Sequence, residues 1–174
     1  MKKTFIIVLI YFVLCSCKTN IKVIKSNKEH FCQFYGTFDN NAFKVVRGNR
    51  YGSPSLLELF EIYHIKTDSV TIECDSMGEL KLIFVDKEKN ITEKTIKGSY
   101  SNKGYLEIFL RYESKKFPPF IPIIYGKYNI NKIRLSLTEN GDLIVDNKWI
   151  EGGHIFIFGV GDSGNRKSYF KRRK

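Results

Sequence analysis

Apolar side chains recur at every second position through much of the chain, and this alternation restricts the fold more than any other feature. The clearest example starts at Leu106, where Leu106, Ile108, Leu110 and Tyr112 fall on one face. The other face carries the charged residues Glu107, Arg111 and Glu113. A period of two is that of a β-strand with one buried face. We therefore expect antiparallel sheet rather than helix.

Similar short segments follow one another along the chain, separated by turn residues. The predicted strands cover residues 31–38, 61–65, 69–74, 80–85, 91–99, 105–113, 133–138, 143–145 with 148–150, and 154–158. Asn140-Gly141 is the strongest hairpin signal, because a type I′ turn needs positive φ at both central residues. Ser55 and Glu58 form a capping box for one short helix. The pattern predicts an all-β fold: a single antiparallel meander of about eight to nine strands, closed as a barrel or packed as a sandwich.

The chain begins with a signal for export. Two lysines precede an uncharged apolar run over residues 4–14, which is short for a bilayer crossing of ~20 residues. The run ends in Leu14-Cys15-Ser16-Cys17, which resembles the lipobox of bacterial lipoproteins. The resemblance implies cleavage before Cys17 and attachment of lipid to Cys17.

Export sets the expected domain organisation. Residues 1–16 are the signal peptide, 17–29 a polar flexible tether, 30–160 the β-barrel domain and 161–174 a basic C-terminal tail. Lys18 follows the cysteine, which by resemblance to the sorting rule of diderm bacteria implies the outer membrane. The first expected partner is therefore the membrane itself, reached through the lipid anchor.

The mature domain resembles lipocalin-like (calycin) β-barrels found among bacterial lipoproteins. That family often begins its first strand with Gly-x-Trp, and Gly36-Thr37-Phe38 stands at this place with Phe instead of Trp. The resemblance implies a meander barrel that holds a hydrophobic molecule.

Two cysteines remain after processing, Cys32 and Cys74. An exported protein can form a disulfide, and closing this loop would stabilise the fold by ~3–4 kcal/mol. The alternative is two separate buried thiols that pack as small apolar groups. The absence of a Cys-x-x-Cys motif gives no indication of a redox or zinc site.

One proline-rich segment, Phe117-Pro118-Pro119-Phe120 with Pro122 beyond it, is apolar and yet cannot be a central strand. It is interpreted either as a mouth that touches an apolar ligand, partner or membrane, or as a rigid plug that closes one end of the core.

Positive charge is concentrated at the C-terminus. The net charge is +11, and the last nine residues hold six cations: Arg166, Lys167, Lys171, Arg172, Arg173 and Lys174. Such a tail can bind anionic lipid phosphates at ~1 kcal/mol per basic residue. The alternative is a solvated, disordered end. Nucleic acid does not fit an exported compartment.

No constellation for catalysis stands out. His30, His64 and His154 are far apart and do not have the spacing of metal ligands. The segment 161–164, Gly-Asp-Ser-Gly, resembles a serine-protease loop only superficially and is interpreted as a flexible exit from the last strand. We predict neither an enzyme nor a cofactor.

The expected function is therefore a binding module for a small hydrophobic or amphipathic molecule inside the barrel. The alternative is a structural or interaction lipoprotein with a filled core, which acts on a cell-envelope partner through surface loops and the basic tail. An eight-stranded barrel allows either. Polar groups that point inward favour a ligand, and the orientations of Glu73, Glu107 and Arg111 are the ones to determine.

Overall fold

Strands account for nearly all of the regular structure. A computed structural model describes residues 34–46, 54–86, 88–117, 125–156 and 158–174. Within these ranges lie ten strands and one short helix, α1: β1 Gly36–Asp39, β2 Lys44–Val46, α1 Leu56–Leu59, β3 Ser69–Cys74, β4 Glu79–Val85, β5 Ile91–Lys97, β6 Ser99–Tyr100, β7 Leu106–Phe117, β8 Tyr125–Leu137, β9 Leu143–Ile155 and β10 Phe158–Phe170. The all-β fold class is confirmed.

The strands form two antiparallel sheets. One has the order β1-β3-β4-β5 and the other the order β2-β10-β9-β8-β7-β6. Most strands pair with their neighbours in sequence, because short turns connect them. The pairings within the described ranges do not include a closed barrel.

Both sheets bury one face in a single apolar core. In β3 and β4 every second residue is buried, as the alternation predicts. The core joins side chains from the four-stranded sheet, such as Ile72 and Leu82, to side chains from the six-stranded sheet, such as Ile108 and Ile133. Helix α1 adds Leu56, Leu57 and Leu59 to this core.

The predicted capping box is confirmed. The Ser55 hydroxyl accepts a hydrogen bond from the Glu58 backbone N–H at 3.1 Å, and the Glu58 carboxylate accepts one from the Ser55 N–H at 3.1 Å. These contacts satisfy N–H groups that a helix start leaves without helical partners.

Two predicted strands are wrong. Residues 61–65 are not extended, because Glu61 and His64 have φ values of +58° and +69° as the chain leaves α1. Residues 154–158 contain a hairpin reversal, because Phe156 has φ of +53° and Ile155 pairs with Phe158. The Asn140-Gly141 hairpin exists, but only Gly141 has positive φ (+82°) and the Thr138 carbonyl accepts from its N–H. This is a longer loop than the predicted type I′ turn.

The two sheets approach each other at two places. Only Gly98 separates β5 from β6, so one strand pathway continues from the first sheet into the second. At the other edge, the residues after β10 bond to β1. The Asp39 N–H donates to the Lys171 carbonyl at 2.8 Å, and the Arg173 N–H donates to the Thr37 carbonyl at 2.8 Å.

The C-terminal boundary requires a correction. The predicted tail began at residue 161, but β10 runs from Phe158 to Phe170 and pairs with β9 in continuous register. Residues 168–170 are buried. The glycine-rich segment was read as a flexible exit, yet a Cβ on Gly161 would stand 2.6 Å from the Glu151 carbonyl oxygen. Glycine here permits close strand packing rather than flexibility.

Four strands are longer than the core requires. Strands β7 to β10 have 12 or 13 residues, which corresponds to roughly 40 Å. Their inner ends pack in the core, whereas their outer ends do not. We call this outer part, residues 111–117, 125–130, 150–155 and 158–163, the distal half. A bulge between Phe109 and Arg111 marks its start in β7.

Candidate functional site

The orientations of the three diagnostic residues are clear. Glu73 alternates with buried Ile72 and Cys74 in β3 and therefore faces outward. Glu107 lies between buried Leu106 and Ile108 and also faces outward. Arg111 was predicted on the face opposite Leu106, and this is wrong because the bulge after Phe109 moves it to the core-side face, where it is exposed. None of the three places a charge inside the apolar core.

Glu107 belongs to an ion-pair cluster on the outer face of the six-stranded sheet. Its carboxylate accepts hydrogen bonds from Lys132 Nζ at 2.8 Å and Arg134 Nε at 3.2 Å. Partial burial alone would raise the pKa of Glu107, but the two cations outweigh it and hold the pKa below its usual range. The cluster ties β7 to β8 and has the character of a structural contact.

A polar cluster lies where the core ends and the distal half begins. The Glu61 carboxylate accepts from Arg111 Nε at 3.0 Å and from Asn131 Nδ2 at 2.7 Å. The Asn131 side-chain oxygen in turn accepts from Asn147 Nδ2 at 2.7 Å. The unusual positive φ of Glu61 directs its side chain across the core-side face of β7 and β8.

Trp149 and Asp162 continue this polar layer on β9 and β10. The indole Nε1–H donates to the Asp162 carboxylate at 3.0 Å, while the ring itself is nearly buried. Within three adjacent rows of β7 to β10 the core-side face therefore carries the hydrogen-bonded side chains Arg111, Asn131, Asn147, Trp149 and Asp162. This layer separates the core from the space beyond it.

Beyond the polar layer, the distal half forms an open basin of about 880 Å³. Its lining mixes apolar and charged residues from three strands. On the core-side face these are Tyr125, Lys127, Asn129, Glu151, Ile155, Phe158 and Val160. Of the glycines in this lining, Gly153 lies on the core-side face, whereas Gly126, Gly152 and Gly159 lie on the outer face with Tyr128 and His154.

Comparison with protein-family models, curated proteins and solved structures found no match. The site therefore has to be interpreted from its own chemistry. In the described part of the chain, no group of three or more His, Cys, Asp or Glu side chains is arranged to hold a metal ion. Nor does any described helix have the length and apolar character of a membrane span.

The described histidines occupy unrelated positions. His64 lies in the irregular segment after α1. His154 lies on the outer face of β9, where its ring stacks on Tyr128 with centroids 6.0 Å apart. His30 falls outside the described ranges.

Most candidate residues at the N-terminus and in the proline segment lie outside the described ranges. These are Cys17, Cys32, Pro118, Pro119 and Phe120. Phe117 is the last residue of β7. Cys74 ends β3 and is buried, with its Sγ 2.8 Å from the Tyr100 hydroxyl oxygen. The pairing of Cys32 with Cys74 stays a prediction.

Three cations of the predicted C-terminal tail form contacts with other parts of the fold. Lys171 Nζ lies 3.2 Å from the Asp142 carboxylate, and Arg173 Nε lies 2.5 Å from that of Asp39. Arg172 donates to the Tyr35 carbonyl. Arg166 and Lys167 lie within β10, and Lys174 is exposed and outside the strand. The predicted anion-binding tail is thus committed largely to internal contacts.

The far ends of the long strands meet in one row. Phe117 pairs with Tyr125, Tyr125 with Ile155, and Ile155 with Phe158. Tyr125, Ile155, Phe156 and Phe158 have exposed fractions of 37%, 58%, 59% and 77%. We call these four exposed residues the apolar tip. Sequence reasoning missed it because the 154–158 run was taken for a buried strand, although its five consecutive apolar or aromatic positions lack the period of two.

Proposed function

We propose that the protein is a lipid-anchored component of a bacterial cell envelope, at the outer membrane in diderms, that acts through its surface and not through an internal ligand cavity. The observation that carries this is the composition of the core. All buried, core-facing residues of β3 and β4 are apolar, and so are the buried, core-facing residues of β7 and β8. An interior of this kind favours the filled-core alternative.

We further propose that the two sheets belong to one lipocalin-like barrel. The near-continuity of β5 and β6 across Gly98 supports closure on one side. The bonds from Asp39 to Lys171 and from Arg173 to Thr37 support it on the other. A barrel removes the exposed sheet edges that promote aggregation.

The filled core is tested by comparing native and refolded protein. Protein isolated from its host is unfolded, extracted with organic solvent, refolded and compared with untreated protein. A filled core gives the same melting temperature before and after extraction. A ligand present at 100 times its Kd would add ~2.7 kcal/mol, so its removal would lower the melting temperature by several degrees. Such a loss, reversed by adding back the extract, would overturn the filled core.

The lipid anchor is tested independently by metabolic labelling with a fatty acid. Labelled wild-type protein is expected, and Cys17→Ser should abolish the label. Cys15→Ser is the matched control, because this residue leaves with the signal peptide. Label retained in Cys17→Ser would contradict the lipobox assignment.

A small amphipathic ligand in the open basin is the second candidate. It is favoured by the combination of Tyr125 and Ile155 with Lys127 and Glu151 around one concave surface. Native mass spectrometry distinguishes the two. Extra mass that is lost on denaturation, and absent from a Tyr125→Ser variant, would support a basin ligand.

A further inference from the structure

The distal half carries three successive levels of chemistry. Among the described residues of the four long strands, the apolar tip occupies the last row. Two residues back along the strands, Lys115 faces Lys127, and Lys116 is adjacent. A further two residues back, the cross-strand row contains Glu113, Glu151 and Asp162.

The spacing of these levels matches the interface of a bilayer. At ~3.3 Å per residue, the lysine level lies ~7 Å behind the tip and the acidic level ~13 Å behind it. Interfacial segments bury their apolar face by ~5–10 Å, to the boundary of headgroups and acyl chains. With the tip at that depth, the lysines reach the phosphates and the carboxylates stay in water.

The three lysines are available for such a contact. Lys115, Lys116 and Lys127 are exposed. None of them forms an ion pair with a carboxylate among the described residues. Exposed lysines such as Lys94 and Lys103 share this property, so what distinguishes the three lysines is their place beside the apolar tip. Three positive charges therefore lie next to the apolar tip without an ion-pair partner, and the carboxylates of Glu113 and Glu151 lie one level behind them.

The backbone conformation and exposure of Phe156 are a second, independent indication that the apolar tip has an external contact. A bulky residue with positive φ is uncommon, and this turn position usually holds Asn, Asp or Gly. Here the position holds a phenylalanine that is 59% exposed. With more than half of its surface exposed, this side chain gains little from burial, which favours a role in contact with something outside the fold.

We propose that the apolar tip docks the protein onto the anionic surface of a phospholipid bilayer, with Lys115, Lys116 and Lys127 contacting lipid phosphates. The inference rests on the proposed surface-acting function and names its partner. It does not depend on the lipid at Cys17, which gives the protein a second, separate membrane contact.

Vesicle flotation tests the proposal on the chain from Lys18 to Lys174, which carries no acyl group. The whole described core lies within residues 34–170, so this chain retains it. The vesicles are phosphatidylcholine, either alone or with about 30% phosphatidylglycerol. We expect flotation with the anionic vesicles only, decreasing as salt screens the lysines.

The tip variant is Phe156→Ser combined with Phe158→Ser, with Ile91→Ser as the control. Ile91 is 71% exposed but lies on β5, away from the tip. The tip variant should lose at least 10-fold in partitioning, on the scale of ~0.8 kcal/mol per buried methylene. The control should float like wild type.

A charge-matched pair of variants tests the lysines. Changing Lys115, Lys116 and Lys127 to Gln should reduce binding by roughly 100-fold, since each basic residue near the surface contributes about a factor of five. Changing Lys94, Lys97 and Lys103 to Gln removes the same charge elsewhere and should have little effect. Equal losses of binding in the two variants would show that net charge alone controls binding, and would overturn the docking geometry.

Three other results would also overturn the proposal. They are failure of wild type to float with anionic vesicles, equal flotation with neutral vesicles, and a dimer that the tip variant converts to monomer. The last would identify a second copy of the chain as the occupant of the tip. None of them bears on the filled core, whose own test is the melting comparison.

Discussion

Asp142 is the residue whose removal should most weaken the junction between the chain's end and the rest of the fold. It follows the β8–β9 turn, and its side chain is only 8% exposed. The carboxylate accepts from Lys171 Nζ at 3.2 Å and from the Arg172 backbone N–H at 3.1 Å. Both residues lie in the segment that bonds to β1.

The expected cost of Asp142→Ala follows from these contacts. A hydrogen bond to a charged group contributes ~1.5–3 kcal/mol, but Lys171 is 59% exposed and its ion pair is worth less than ~1 kcal/mol. The Arg172 N–H additionally loses its acceptor. We expect a loss of ~2–3 kcal/mol in the free energy of unfolding, and about half of that for Asp142→Asn, which keeps an acceptor oxygen.

Urea denaturation measures this loss. With a slope of ~2 kcal/mol/M, Asp142→Ala should lower the midpoint by ~1–1.5 M at unchanged slope. Glu139→Ala is the control, because this acid lies in the same turn but is exposed. A shift no larger than that of the control would refute the claim that the carboxylate stabilises the C-terminal segment.

Two further predictions concern the six-stranded sheet. The pKa of Glu107 is lowered in the folded protein. Its ion pairs therefore stabilise the fold at pH values above the pKa of the unfolded state, and this stabilisation is lost as the pH falls through the pKa of the folded state. In acid-denaturation curves, Glu107→Gln should lose up to ~1 kcal/mol less stability than wild type between about pH 5 and pH 3. Wild-type-like acid dependence in this variant would contradict the assignment. Gly161→Ala should cost ~1–3 kcal/mol locally and accelerate amide hydrogen exchange in the distal half while leaving the core amides unchanged. Gly159→Ala is its control, since a Cβ there stands no closer than 3.3 Å to its neighbours; equal exchange in both variants would count against the close packing of β9 on β10.

The alternation of apolar residues predicted β3 and β4 well because both strands lie over the core with one face in water. The same reasoning failed for residues 154–158, where the chain reverses without Asn, Asp or Gly to mark a turn. It also predicted no strand after Phe158, where β10 begins, and ended the domain at Val160. Glycine and charge usually signal irregular structure, but in β10 they serve close strand packing and ion pairs that only the folded neighbours reveal.

The basin and the polar layer could not be predicted for a related reason. Glu61 reaches Arg111 and Asn131 only because a left-handed backbone conformation after α1 directs it there. No local pattern encodes a contact between residues 50 and 70 positions apart. The length of β7 to β10 was likewise hidden, since the distal half has no buried face to impose a period of two.

The bonds between β1 and the residues after β10 have a consequence for biosynthesis. They join positions about 134 residues apart, so β1 lacks these partners until Arg173 has emerged. A chain stopped a few residues early would keep nearly all of its core but leave the edges of β1 and β10 open. Long-range closure of this kind is slow, because the entropy of the whole intervening chain opposes it. The edge of β1 is therefore completed only when the segment around Lys171 and Arg173 has joined it, late in the folding of the chain.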